Sequence, residues 1–84
     1  MASVRFSWSP ILVDVRRETC PEAQWHKQRR HWTMTDHDAC RFIHAAHGRL
    51  EGMRVHAEIS IDDTRWLVGF VHGAPQKVEN HRTA

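Results

Sequence analysis

The strongest constraint in this chain is a helical stripe between Thr35 and Leu50. Ala39, Phe42, Ile43, Ala46 and Leu50 recur at i, i+3, i+4 and i+7 spacing, which gathers them on one face of an α-helix. Thr35 is a good N-cap, and Asp36 and Asp38 place acids in the first turn, where the helix dipole favours them. Gly52 lies just past the last apolar residue and signals the end. Gly48 falls on the opposite, solvent-facing side. A helix over 36–50 with one apolar face needs a second layer to cover that face.

The following segment supplies it. Met53, Val55, Ala57, Ile59 and Ile61 alternate with Arg54, His56, Glu58 and Ser60, the pattern of a half-buried strand. Asp62-Asp63-Thr64 reads as a turn and 65–72 as the partner strand, stopped by Gly73 and Pro75. A two- or four-residue loop puts Trp66, Val68 and Phe70 on the face of Ile59 and Ile61, whereas a three-residue loop puts Leu67 and Val71 there. The first register buries the larger set and is the one expected. The 65–72 strand is apolar on both faces, so its second face needs a cover from the N-terminal strands or a second copy in a homodimer.

Upstream, Val4, Phe6 and Trp8 alternate as one strand face. Ser9-Pro10 breaks or bends that strand, and Ile11, Val13 and Val15 alternate again as a second strand or a continuation. Residues 19–29 are ambiguous. Thr19 and Glu22 have capping-box spacing with Pro21 between them, which would start a short helix, and a structured loop fits equally well. Arg30, Trp32 and Met34 follow as a short strand. The expected fold is α+β: a three- or four-stranded, mainly antiparallel sheet, one main helix (36–50) on one face, and a C-terminal hairpin (53–61, 65–72). One domain spans 1–75, with a flexible polar tail over 76–84.

The chain has 84 residues, enough for a single thin core. No apolar run approaches the roughly 20 residues of a membrane span, and Met1–Pro10 lacks the apolar stretch of a signal peptide. The expectation is a cytoplasmic protein without membrane contact. Cys20 and Cys40 fit that compartment as free thiols, with one bridge open to them only under oxidising conditions. The formal charge is +2, and ten of the twelve basic residues are Arg. A GC-rich genome accounts for that bias, and selection for forked contacts to phosphate or carboxylate is the functional alternative. Protonating the eight histidines would add eight charges to the formal +2, so any electrostatic binding should depend on pH between about 5 and 7.

Two constellations could carry function. The first is basic and aromatic: Arg16, Arg17, Trp25, Lys27, Arg29, Arg30, His31 and Trp32. Arg and Trp are enriched among interface hot spots, and the same residue types can pair with phosphates and stack on bases. Glu18 and Glu22 interrupt the basic run. The plain structural account is a solvated segment whose tryptophans anchor it to the core. The second is a helix flank of His37, Cys40, His44 and His47, which are metal-ligand types at i+3 and i+4 spacing. One helix does not wrap a tetrahedral ion alone, so His26, His31 or His72 would have to complete the set. The plain account is a polar flank with a half-buried cysteine.

Catalytic signatures are sparse. Cys20 or Cys40 beside a histidine could form a nucleophilic thiolate, but no Gly-rich anion-binding loop accompanies either. His37-Asp38 would need ligands from a larger helical domain. No zinc-deaminase, HExxH or Walker pattern occurs. The leading expectation is therefore a small non-catalytic regulator or inhibitor with no cofactor. It would bind a larger protein or nucleoprotein complex through Arg16, Arg17, Trp25, Lys27, Arg29, Arg30 and Trp32. Its size suits the small regulators that phages and mobile elements encode. One alternative is a nucleic-acid-binding regulator that uses the same segment, and another is a zinc-stabilised module.

Overall fold

A computed structural model describes residues 1–69 and 73–78. The element order is β1 (Ala2–Phe6), α1 (Pro10–Thr19), β2 (Gln24–His26), β3 (His31–Met34), α2 (Asp36–Gly52), β4 (His56–Ile61), β5 (Thr64–Gly69) and β6 (Gln76–Val78). The six strands form one sheet in the order β2-β3-β1-β4-β5-β6, with every neighbouring pair antiparallel. The first six elements follow the βαββαβ order of the split-βαβ, or ferredoxin-like, plan. The α+β class expected from the sequence holds. Among the described residues the sheet has six strands rather than three or four, and a second helix packs beside the expected main one.

The extra helix is α1. Its Ile11, Val13 and Val15 alternate as a strand would, yet the chain there is helical. Ser9 is extended (φ −153°, ψ 127°), its side chain accepts a hydrogen bond from Leu12 N, and Pro10 occupies the first turn. Ser9-Pro10 is thus a helix start, since proline's fixed φ and missing N–H suit the first helical position. Leu12, Val15 and Arg16 then fall on the buried face. Trp8 accordingly leaves the strand face expected for it and sits in the β1–α1 loop, 80% exposed. Thr19, read as a capping residue, is instead the last residue of α1, and its hydroxyl donates to Val15 O. The 19–29 stretch becomes the end of α1, a turn and the edge strand β2.

Helix α2 forms as its pattern requires. The Thr35 side chain accepts from Asp38 N at 3.1 Å, and Ala39, Phe42, Ile43, Ala46 and Leu50 are all buried. The helix runs to Gly52, two residues beyond the expected end. It closes with Val55 N donating to Leu50 O and Arg54 N to Glu51 O. That 6→1, 5→2 pair is a Schellman closure, and the left-handed position falls on Arg54 (φ 58°) rather than on a glycine. The closure consumes residues 53–55, so β4 starts at His56 and not at Met53.

In the hairpin Ile61 pairs with Thr64, leaving the two-residue turn Asp62-Asp63, and Ile59 pairs with Trp66 and Ala57 with Val68. This is the register that buries the larger apolar set. Asp62 (φ 54°) also joins the turn to β1: its N–H donates to Ser3 O at 2.7 Å and its carboxylate accepts from Ser3 N at 3.0 Å. Leu67 turns to the opposite face, half-buried between its register partners Glu58 and Gln76. Gln76–Val78, read from the sequence as the start of a tail, pairs with Leu67, Trp66 and Arg65 as β6. An unpaired edge of β5 offers backbone partners to any following segment, whatever its side chains. Phe70, Val71 and His72, and residues 79–84, lie outside the described residues.

Ala2, Val4, Met34, Ile59 and Val68 point from the sheet to Leu12, Val15, Cys20 and the α2 stripe. The Phe6 and Phe42 rings meet at 5.5 Å. Gly69 lets α2 approach this layer. Its φ is 112°, and a Cβ there would collide with Val55 O and His56 Cα. Its N–H donates to His47 Nδ1 at 2.9 Å inside the core. We expect Gly69→Ala to destabilise the fold by at least about 2 kcal/mol. Arg54→Gly, which relieves a left-handed arginine, should stabilise it by about 1 kcal/mol. Thermal unfolding of the two variants should move the midpoint in opposite directions.

Candidate functional site

The β2–β3 hairpin builds the main candidate. Trp25 and Trp32 are direct register partners, so both indoles project to the helix side of the sheet, with ring centroids 5.2 Å apart. Trp32 is half-buried and Trp25 is 50% exposed. Helix α1 walls the same space with Val13, and the end of β1 adds Phe6 and then Trp8. Together with Arg30 these side chains line an open groove of about 610 Å³. That volume lies within the range of pockets that hold a small ligand or a partner's anchoring side chain.

The cationic residues divide by role. Arg16 is buried and not a free contact: its guanidinium lies 4.1 Å from the Trp32 ring centroid and donates to Cys20 O at 3.2 Å. Burial and then the charge of Arg17 lower its pKa. It therefore holds the end of α1 against β3 and fixes the Trp32 plane from behind. Arg17, Lys27, Arg29 and Arg30 are exposed, and none forms an ion pair among the described residues. Glu18, one of the acids interrupting the basic run, is engaged elsewhere, with Arg49 at 2.8 Å. Arg30 sits at the groove's lip in the left-handed region (φ 55°), where its N–H donates to His26 O at 2.7 Å. A non-glycine residue held there carries a conformational cost of about 1–2 kcal/mol.

Of the residues singled out from sequence, the hairpin brings Trp25, Arg30 and Trp32 together at the groove. Arg16 stands behind it, and Lys27 and Arg29 lie in the adjoining turn. Phe6, Trp8 and Val13 were missed. The signal that could have found them is Ser9-Pro10, which as a helix start places Trp8 in a loop and Val13 on a helix wall.

The helix flank proposed for metal divides differently. His37, Cys40 and His44 are exposed. His47 is buried, with Nδ1 accepting from Gly69 N and Nε2 3.3 Å from Glu51 Oε2. Among the described residues, no three His, Cys, Asp or Glu side chains gather as a metal-ligating group. Cys40 and His44 instead border a second cavity of about 450 Å³, with Ile43, Ile61 and Trp66. Both cysteines are free thiols. Cys20 is buried, and its Sγ donates to Asp38 O at 3.3 Å. Burial pushes this thiol's pKa up, which disfavours the nucleophilic thiolate. Among the described residues, no helix is long and apolar enough to cross a membrane.

Comparison with known proteins returned no matching family model, no matching curated protein and no matching solved structure. The fold and the groove therefore stand on their own geometry. In a thiol-reagent assay at pH 8 the native protein should titrate one fast thiol, Cys40, with Cys20 reacting only on unfolding. Cys40→Ser should abolish the fast phase.

Proposed function

We propose that this protein is a small non-catalytic regulator or inhibitor that acts by seating on a larger macromolecular partner through the Trp8–Trp25–Trp32 groove. The observation that carries this reading is that Trp8 and Trp25, 80% and 50% exposed, flank one concavity. Exposed indoles cost solubility and are retained where a partner desolvates them. Arg30 strengthens the reading, because a strained residue at a groove's lip is a common mark of a binding site.

The chemistry defines the partner's surface. An apolar side chain fills the groove between the indoles and Val13. Acidic groups around it meet Arg17, Lys27, Arg29 and Arg30. Arg16 contributes by keeping Trp32 in place, so it acts as a positioning residue.

The test is affinity capture from nuclease-treated lysate of the source cell with three proteins. The wild-type chain should retain a partner in stoichiometric amount. The double variant Trp25→Ala, Arg30→Ala should lose it by about 30-fold or more, the effect of removing one hot spot. Arg41→Ala, on the exposed side of α2, should retain it. Equal retention by all three proteins, or capture of nucleic acid alone in untreated lysate, would sink the reading.

A further inference from the structure

The face of the sheet turned away from the helices carries a second pattern. Strand register aligns one residue per strand across it. His26 pairs with His31, and continuing the β1–β3 register past Val4 and Trp32 sets Arg5 beside His31. Arg5 pairs with Ser60, and Ser60 with Arg65. Strands lie about 4.8 Å apart, so this transverse row spans about 19 Å. The His26 and His31 rings meet at 5.4 Å. His26 Nε2 and Thr33 Oγ1 lie 2.9 Å apart, the hydroxyl donating to a bare ring nitrogen or accepting from a protonated one. Ser60 puts a hydroxyl in the row, and Ser3 and Thr33 flank it with two more. The strand residues of this face include one acid, Glu58, whose carboxylate lies 3.6 Å from Arg65. Arg5 forms no ion pair among the described residues.

One group in the row is unsatisfied. His31 is 7% exposed, and its Nδ1 is buried without a hydrogen-bond partner. Burial, and then the positive fields of His26, Arg5 and Arg29, hold its pKa below the usual histidine range. A nearby anion would reverse that field. Among the described residues, no large apolar side chain stands at the His26–His31–Arg5 end of the face; Leu67 and Val78 lie at the other end. A protein or lipid partner would lack an anchor there, whereas a polyanion needs none.

We propose that the row His26–His31–Arg5, with Arg29 at its rim, is a track for the phosphodiester backbone of single-stranded nucleic acid, read without sequence preference and more tightly at acid pH. The track lies on the face opposite the tryptophan groove and does not depend on it. Arg5 and Arg29 supply fixed charge. His31 gains charge only as pH falls below the usual histidine range, and a bound anion beside it favours the protonated ring. The sign follows from linkage. The unfolded chain binds the His31 proton more readily than the free folded protein, so that group's contribution to stability is full above the unfolded pKa and declines as pH drops through it. A bound backbone offsets the loss because its negative charge lets the His31 ring keep its proton in the folded state.

The probe is a fluorescein-labelled oligo(dT) of about 15 nucleotides, the upper range of sites that a small sheet domain covers. Anisotropy at low salt should show binding at pH 6 that is about tenfold weaker at pH 7.5. The logarithmic salt slope should be about −1.5 to −2, for two to three phosphates neutralised. Arg5→Glu should weaken binding at least tenfold with an unchanged circular-dichroism spectrum, and Arg5→Gln should be intermediate. Arg41→Glu, which makes the same charge change on α2, should bind like wild type. No binding at pH 6 and low salt, or wild-type binding by Arg5→Glu, would overturn the track. So would full displacement of the oligonucleotide by inorganic phosphate at matched ionic strength, which would indicate a single-oxyanion pocket.

Discussion

Strand β1 is the seam on which the molecule closes. It pairs with β3 on one edge and β4 on the other, joining the hairpin before α2 to the hairpin after it. Val4, at its centre, has no solvent exposure, and Asp62 extends the seam by exchanging two hydrogen bonds with Ser3. Both hairpins are local structures that a short chain forms readily. Uniting them across a distant N-terminal strand is what makes one core, and it carries the loop-closure cost of the fold.

The legible parts of the sequence were those whose local pattern and tertiary role agree. The α2 stripe and its Thr35 cap, and the 59–68 register, are periodic signals backed by burial on one face only. α1 was illegible because Ile11, Val13 and Val15 satisfy the strand period while Leu12, Val15 and Arg16 satisfy the helical one, and packing against α2 decides between them. The edge strands β2 and β6 are three residues each and mostly exposed, so neither carries a periodicity to read. They exist because neighbouring strands present unpaired backbone. The candidate site was legible in the same measure. Trp25, Arg30 and Trp32 belong to one hairpin and could be named together. Phe6, Trp8 and Val13 join them only through the packing of α1.

The β2–β3 hairpin serves two faces at once. Period-2 alternation sends Trp25 and Trp32 toward the helices and His26 and His31 away from them. The turn between the strands holds Lys27, Arg29 and Arg30 within reach of both sides. An apolar contact and a charged contact therefore arise from seven or eight adjacent residues without competing for the same surface.

The groove's walls come from the end of β1, from α1 and from the β2–β3 hairpin, successive segments that meet only once the chain has folded. An occupant of the groove bridges them, so it binds the folded chain and has no counterpart site on the unfolded one. Mass action then makes the fold more persistent wherever the target is abundant. Copies left without a target, held only by a thin core, would open more often and be cleared sooner by proteases.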